Sequence, residues 1–443
     1  MQIGRRYAVG LVCLLAMLFA LSGCFKVTPD DLYTLPQASK EYVKLQEQIN
    51  MVLAAGAEYA PPTSGPNRQA VQLKDLDGDG INEAVVFFRV KGDKPLRIYI
   101  MRLQGDNYET ADVIDGDGTA IESIRYADMD GDGMTELVVG WQMSAALLHM
   151  SIYAIKSYQQ TLLAGADYTA LVLNDLDNDG RTDVLALQLA SSDVPGEAAM
   201  FSLLPDGNVK TSTVRLSNGL SAFSRVVAGS LSDGKQAVFA EGQLPGGGML
   251  TDVLAFKSGA LSNITLNKTS GISETSVRDY TVYSTDINKD GVYEVPSPRR
   301  LTSPEQSDYY VIDWLAFDSS GNKSRVFTTY HNFSDGWYLI LPNAWRDKIT
   351  VRREDSVSGE RTIVFSYLSG ASDTPVDYLK IYALYGDNRN DRAAVAGRFK
   401  LAEHGDVVYA AEIIASPAGL SVSQKTITDN FKLLYSDWVT GAL

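Results

Sequence analysis

The sequence predicts a mainly β protein, a β-propeller of about five blades followed by a smaller α+β domain. Three observations carry this expectation. A nine-residue acidic turn occurs four times, with first aspartates at 75, 128, 175 and 286. That is a period of roughly 50 residues with one copy missing. The turns lie between short runs of β-branched and aromatic residues, as in Val71-Gln-Leu73 and Ala84-Val-Val-Phe-Phe88, which is the pattern of a hairpin. A unit of this length has room for four short strands, the size of one propeller blade.

The turns place oxygen-bearing side chains at positions 1, 3, 5 and 9. These are Asp75, Asp77, Asp79 and Glu83; Asp128, Asp130, Asp132 and Glu136; Asp175, Asp177, Asp179 and Asp183; and Asp286, Asn288, Asp290 and Glu294. Position 6 is Gly80, Gly133, Gly180 or Gly291, which permits the sharp bend. Position 7 is Ile81, Met134, Arg181 or Val292 and offers a backbone carbonyl. Calcium takes 6 to 8 oxygens, so a chain that curls several carboxylates into one turn describes a calcium cage. An EF-hand would carry a bidentate Glu at position 12, where this chain has Val86, Val139, Ala186 and Ser297. A plain Asp-Gly turn needs no acid at position 9, and crowding carboxylates without a cation is repulsive. The expected cofactor is therefore Ca2+, about four ions.

The fourth loop runs from Val282-Tyr283 into Val295-Pro296. A proline cannot donate to a ladder, so this hairpin is expected to be shorter or at an edge. The missing copy falls near Ser230-Leu-Ser-Asp233-Gly234, where the strand–turn–strand form survives without most of the acids. Asp115-Gly-Asp117-Gly has no acid at the matching ninth position and reads as an ordinary turn. The four loops resemble those of the integrin-α-like, FG-GAP and VCBS-type repeat propellers, in which such a loop sits in a hairpin of each blade. The resemblance implies a calcium-stabilised propeller over 67–332. The chain has neither a Phe-Gly pair nor a Gly-Ala-Pro triplet, so adhesive function does not transfer with the name.

Arg5 and Arg6 precede an apolar run from Ala8 to Leu21 that ends in Leu21-Ser-Gly-Cys24. A basic start, a short apolar stretch and small residues before the break read as a signal peptide over 1–23. The tetrad resembles the lipobox of bacterial lipoproteins, which implies lipidation at Cys24 and an extracytoplasmic protein anchored to the cell membrane. The chain has 2 Cys, Cys13 and Cys24, so the mature body would contain no disulfide and no thiolate nucleophile. Residues 24–38 read as a tether. A helix with a linker follows over 39–66, where Tyr42, Leu45, Ile49, Val52 and Leu53 recur at helical spacing, Ser39 is the N-cap and the end lies near Gly56.

After Asn332 the pattern changes. Residues 333–443 read as an α+β domain that opens on Gly336-Trp337, Leu341-Pro342 and Trp345, and closes on a helix through Ile427, Phe431, Leu434 and Trp438. The opening resembles a small domain of Gram-positive secreted proteins. The length left would also fit two more blades, which gives a seven-bladed propeller as the alternative.

The net charge is -15, and the acidic loops account for much of it. No basic footprint for nucleic acid is present. His149, His331 and His404 are far apart and match no metal or catalytic spacing, so no catalytic residue is assigned. The reading is a calcium-stabilised envelope lipoprotein that binds a protein or glycan partner. The alternative is a hydrolase or lyase acting on envelope polysaccharide in a central propeller pocket.

Overall fold

The computed structural model describes residues 40–191, 194–301, 309–368, 374–417, 420 and 422–434. The expected signal peptide, Cys24, the tether, the Ser39 cap and Trp438 lie outside these residues. Among the described residues, no helix is long and apolar enough to cross a membrane.

Helix α1 (Lys40–Ala54) forms where helical spacing predicts it, and Gly56 ends it at φ +95°. Its Leu45 and Ile49 are buried against Ala84, Val86 and Phe88. The rest of the chain is built from antiparallel sheets in sequence order. The first contains β2 (Val71–Lys74), β3 (Glu83–Arg89), β4 (Leu96–Gln104) and β5 (Asn107–Gly116), with the short β1 (Glu58–Tyr59) beside β2 on β3. The second runs β6 (Ala120–Ala127), β7 (Glu136–Gln142), β8 (Leu148–Lys156) and β9 (Gln159–Tyr168). The third runs β10 (Ala170–Asn174), β11 (Asp183–Gln188), β12 (Glu197–Leu203) and β13 (Val209–Arg215). The fourth is β14 (Ala222–Ser230), β15 (Gln236–Gln243), β16 (Met249–Lys257) and β17 (Ala260–Asn263).

The fifth sheet contains β18 (Glu294–Arg300), β19 (Tyr310–Phe317), β20 (Lys323–Asn332) and β21 (Trp337–Ile340). The sixth contains β22 (Ile349–Glu354), β23 (Glu360–Tyr367), β24 (Val376–Leu384), β25 (Arg398–His404) and β26 (Val407–Ile413), in the order β22-β23-β24-β26-β25. The short α2 (Arg389–Ala393) interrupts that sheet in sequence. α3 (Gln424–Asn430) then leads to β27 (Phe431–Leu433), which returns to pair with β21.

Strand alternation explains how the sheets stack. Val85 and Phe87 point to one side of β3 and pack with Ile124, Leu137 and Trp141 of the second sheet. Ala84, Val86 and Phe88 point to the other side, under α1. Both faces of the central strands are thus covered, which is why they read as continuous apolar runs rather than alternating ones. The same device repeats between the second and third sheets through Met150, Ile152 and Val184. It continues between the third and fourth through Leu185, Leu187 and Val238, and between the fourth and fifth through Phe239, Val253 and Val295. Tyr330, Trp337, Val351 and Phe365 join the fifth to the sixth. The succession is β-propeller-like. Its two end faces are covered by helices, α1 on the first sheet and Ala393 of α2 against Tyr382 and Val408 on the sixth. Among the described residues, no buried apolar cluster joins the sixth sheet to the first.

Three expectations are corrected. The boundary placed after Asn332 cuts through a sheet, because β21 pairs with β20. The strand expected at Val282-Tyr283 is reduced to one bridge, Thr285 with Glu294. There the Val282 carbonyl accepts from Arg278 Nε and the Ser284 N–H donates to Glu241, so these groups cannot enter a ladder. The terminal helix stops at Asn430, because Phe431 is drawn between Trp337 and Tyr409, with ring centroids 5.5 Å from each. The fourth hairpin is short, as expected, because among the described residues only the Thr285–Glu294 bridge joins its two arms; β18, its second arm, has seven residues and pairs instead with β19 along its length. It also lies at an edge, where Pro296 and Pro298 leave no ladder bond unmade.

Candidate metal loops and an aromatic hollow

Each acidic loop folds around its first aspartate. Asp75 accepts from the N–H groups of Gly78 (2.7 Å) and Gly80 (2.9 Å), and Asp128 accepts from Gly131 (2.7 Å) and Gly133 (3.1 Å). In the third and fourth loops one of the two donors shifts by a residue, to the N–H of Asp179 on Asp175 and of Asp290 on Asp286. The fifth-position acids Asp79, Asp132, Asp179 and Asp290 each accept from the N–H of position 7, that is Ile81, Met134, Arg181 and Val292. The ninth-position acids accept from the N–H of position 2: Leu76 to Glu83, Met129 to Glu136, Leu176 to Asp183 and Ile287 to Glu294.

Positions 1, 3 and 9 converge in three loops. One oxygen from each of Asp75, Asp77 and Glu83 lies within 4.8 Å of the others, and the same holds for Asp128, Asp130 and Glu136 and for Asp175, Asp177 and Asp183. Asp79, Asp132 and Asp179 stand outside these triplets. In the fourth loop position 3 is Asn288, whose Nδ2 donates to Asp290 at 2.6 Å, so an amide stands there in place of a third carboxylate beside Asp286 and Glu294.

An oxygen-only donor set suits a hard cation. The decisive observation is at position 9. Glu136 and Glu294 are 1% and 0% exposed, and one carboxylate oxygen of each has no hydrogen-bond partner. A buried carboxylate oxygen left bare costs several kcal/mol unless a cation answers it. Burial pushes the carboxyls of Glu83, Glu136 and Glu294 up to about 7, with repulsion from neighbouring aspartates adding to it. Burial likewise raises Asp183 to about 6. The residues present fit a divalent cation, which would tie position 9 to positions 1 and 3 and so pin the start of the second strand to the loop.

A left-handed fourth position is one feature that composition did not reveal. Gly78, Gly131, Asn178 and Lys289 have φ of 75°, 77°, 62° and 63°. Contact between loops is another. A Cβ at Gly78 would lie 2.6 Å from the Gly133 carbonyl oxygen, and Thr135 donates from its N–H to the Leu76 carbonyl and from its hydroxyl to that of Asp75. The turn near 230 keeps one carboxylate, Asp233, which accepts from the Ser319 N–H and hydroxyl of the fifth sheet.

Residues 75–139 match the FG-GAP-like repeat. This span holds the first two loops and the strands between them. The structural comparisons give weak likenesses. A protein from Lactobacillus plantarum is 12% identical over 72% of this chain and 85% of its own, with a TM-score of 0.30. A rhamnogalacturonan lyase from Bacillus licheniformis is 10% identical over 80% and 91%, with a TM-score of 0.29. An exo-β-1,3-galactanase from Phanerochaete chrysosporium, solved with galactose, is 12% identical over 74% and 79%, with a TM-score of 0.26. No curated protein matches.

Beyond the FG-GAP-like segment, a second feature lies on the fifth sheet. A hollow of about 110 Å3 is walled by Tyr280, Tyr309, Tyr310, Tyr330, His331 and Phe333, with Ile312. Tyr280 stacks on Phe333 at 5.2 Å and meets Tyr310 edge-on at 6.1 Å. Burial drives the His331 imidazole down to about 3, so it is neutral at physiological pH. His149 instead pairs with Asp167 at 2.7 Å on the second sheet, and His404 is exposed at the end of β25, so the three histidines are not brought together.

Proposed function

We propose that this chain is a lipid-anchored, extracytoplasmic β-propeller module, stabilised by about four Ca2+ ions, that binds a glycan at the bacterial cell envelope. Anchoring rests on the Leu21-Ser-Gly-Cys24 tetrad and the apolar leader. The metal reading rests on the converged triplets and the bare buried oxygens of Glu136 and Glu294. The aromatic hollow is the observation that carries the binding reading. Its lining is aromatic with tyrosine hydroxyls, and among the described residues it includes no carboxylate, lysine or arginine. Such a surface suits the apolar C–H face of a sugar ring, with hydroxyls left to fix its orientation.

The test is titration of the protein with neutral and acidic envelope oligosaccharides, alongside Phe333→Ala and Tyr310→Ala. Binding should weaken roughly tenfold in each variant, about 1.4 kcal/mol, with far-UV circular dichroism unchanged. Equal affinity in both variants would remove the hollow from the reading. New reducing or unsaturated chain ends after incubation with polysaccharide would favour the hydrolase or lyase alternative instead.

A further inference from the structure

The turn between β8 and β9 reaches two acidic loops at once. Lys156 Nζ lies 2.9 Å from Asp132 and 3.4 Å from Asp130 in the second loop. Two residues later, the Tyr158 hydroxyl donates to Asp77 of the first loop at 2.6 Å. Between them the chain is stiff. Ser157 and Tyr158 have φ of 52° and 59°, the paired left-handed geometry of a tight two-residue hairpin turn, and Lys156 faces Gln159 across it. The Arg102 guanidinium covers the Tyr158 ring at 4.5 Å. The backbone of the turn therefore fixes Lys156 and Tyr158 at a set separation, one over each loop. The second loop also carries the feature that points to a cation, the bare oxygen of Glu136 beside Asp128 and Asp130.

We infer that Lys156 is a tethered competitor for the cation of the second loop, and that the β8–β9 turn couples that loop's occupancy to the first loop's through Tyr158. The inference rests on the calcium reading of the loops. An ammonium on Asp130 and Asp132 supplies charge that an incoming Ca2+ must displace, because two cations cannot share those oxygens without repulsion. When Lys156 withdraws, the turn shifts with it and Tyr158 changes its hold on Asp77. The two loops already touch through Thr135 and Gly78, so little slack separates them. Coupling of this kind is reciprocal.

Calcium titration calorimetry on the calcium-stripped chain, with Glu83→Gln and Glu136→Gln backgrounds to assign the first and second loops, tests this. In Lys156→Met the second loop should tighten about tenfold and the first loop should shift by about fivefold or more, the lower end of the usual range of coupling. Tyr158→Phe should move the second loop as well as the first. Lys156→Arg, which keeps the charge, should stay near the parent and controls for folding. A second loop unchanged within about twofold in Lys156→Met, or variants that each alter only their own loop, overturns the inference while the calcium reading stands. An absence of calcium heat and of any melting shift in both the parent and Lys156→Met overturns both.

Discussion

Gly78 is held by two constraints that separate it from Gly80 only two residues away. Both are left-handed, at φ of 75° and 86°. A Cβ on Gly80 would meet open space, whereas one on Gly78 would meet the Gly133 carbonyl of the next loop at 2.6 Å. Strain alone costs an alanine about 1 kcal/mol. A backbone clash that must be relieved by moving two packed loops adds about 1–3 kcal/mol. Gly78→Ala should therefore destabilise the protein by about 2–4 kcal/mol and Gly80→Ala by about 1 kcal/mol, read from urea denaturation at saturating Ca2+. Equal losses in the two variants would show that the first and second loops are not in contact. Asn178 and Lys289 occupy the same left-handed position in the third and fourth loops, so the fold demands glycine where the neighbouring loop crowds it rather than at every copy.

At the scale of elements, the fourth sheet shows what replaces a lost cage. Its first turn has no acidic set, and the long segment between β17 and β18 is held by buried charges instead. Glu241 and Arg278 are 0% and 2% exposed and lie 3.1 Å apart, with Thr251 and Ser284 completing the network. Asp252 is equally buried and accepts from the Ser217 N–H and from the hydroxyls of Ser217 and Ser273. Desolvation drives the Arg278 guanidinium down to about 10 and the Glu241 carboxyl up. Removing one member of such a pair leaves a buried charge, at about 3–5 kcal/mol. Arg278→Met should cost that much in chemical denaturation, and Arg278→Met with Glu241→Met should recover most of it. A double variant as unstable as the single one would mean the segment is held by packing rather than by charge. None of this network was legible in the sequence, because Glu241 and Arg278 are far apart in the chain and neither belongs to a motif. The four loops were legible, because their oxygens lie within nine residues and a period repeats them. The aromatic hollow was not, since its rings come from three separate segments around 280, 309–312 and 330–333.

At the scale of the molecule, the loops are unevenly distributed. The three gathered triplets fall in the first three sheets, while the fourth sheet relies on Glu241 and Arg278, and the sixth packs on the fifth through a large aromatic and aliphatic core. The sequence conveyed this division only in part. A repeat period tells where blades begin, but the return of β27 to β21 and the covering of the end faces by α1 and α2 depend on contacts between distant residues. Because each sheet packs mainly on its neighbours, loss of stability need not spread through the whole stack. Removing Ca2+ with EDTA should leave bare carboxylates in the first three sheets and at Glu294 of the fifth, and none in the sixth. Amide exchange should therefore accelerate across 71–188 and stay unchanged within 349–413, and the melt should split so that only its lower step responds to added Ca2+. Uniform acceleration over both regions would mean that the sheets unfold as one cooperative unit. An exchange pattern indifferent to EDTA would mean that the acidic loops hold themselves without a cation, with the position-9 carboxyls kept protonated by burial.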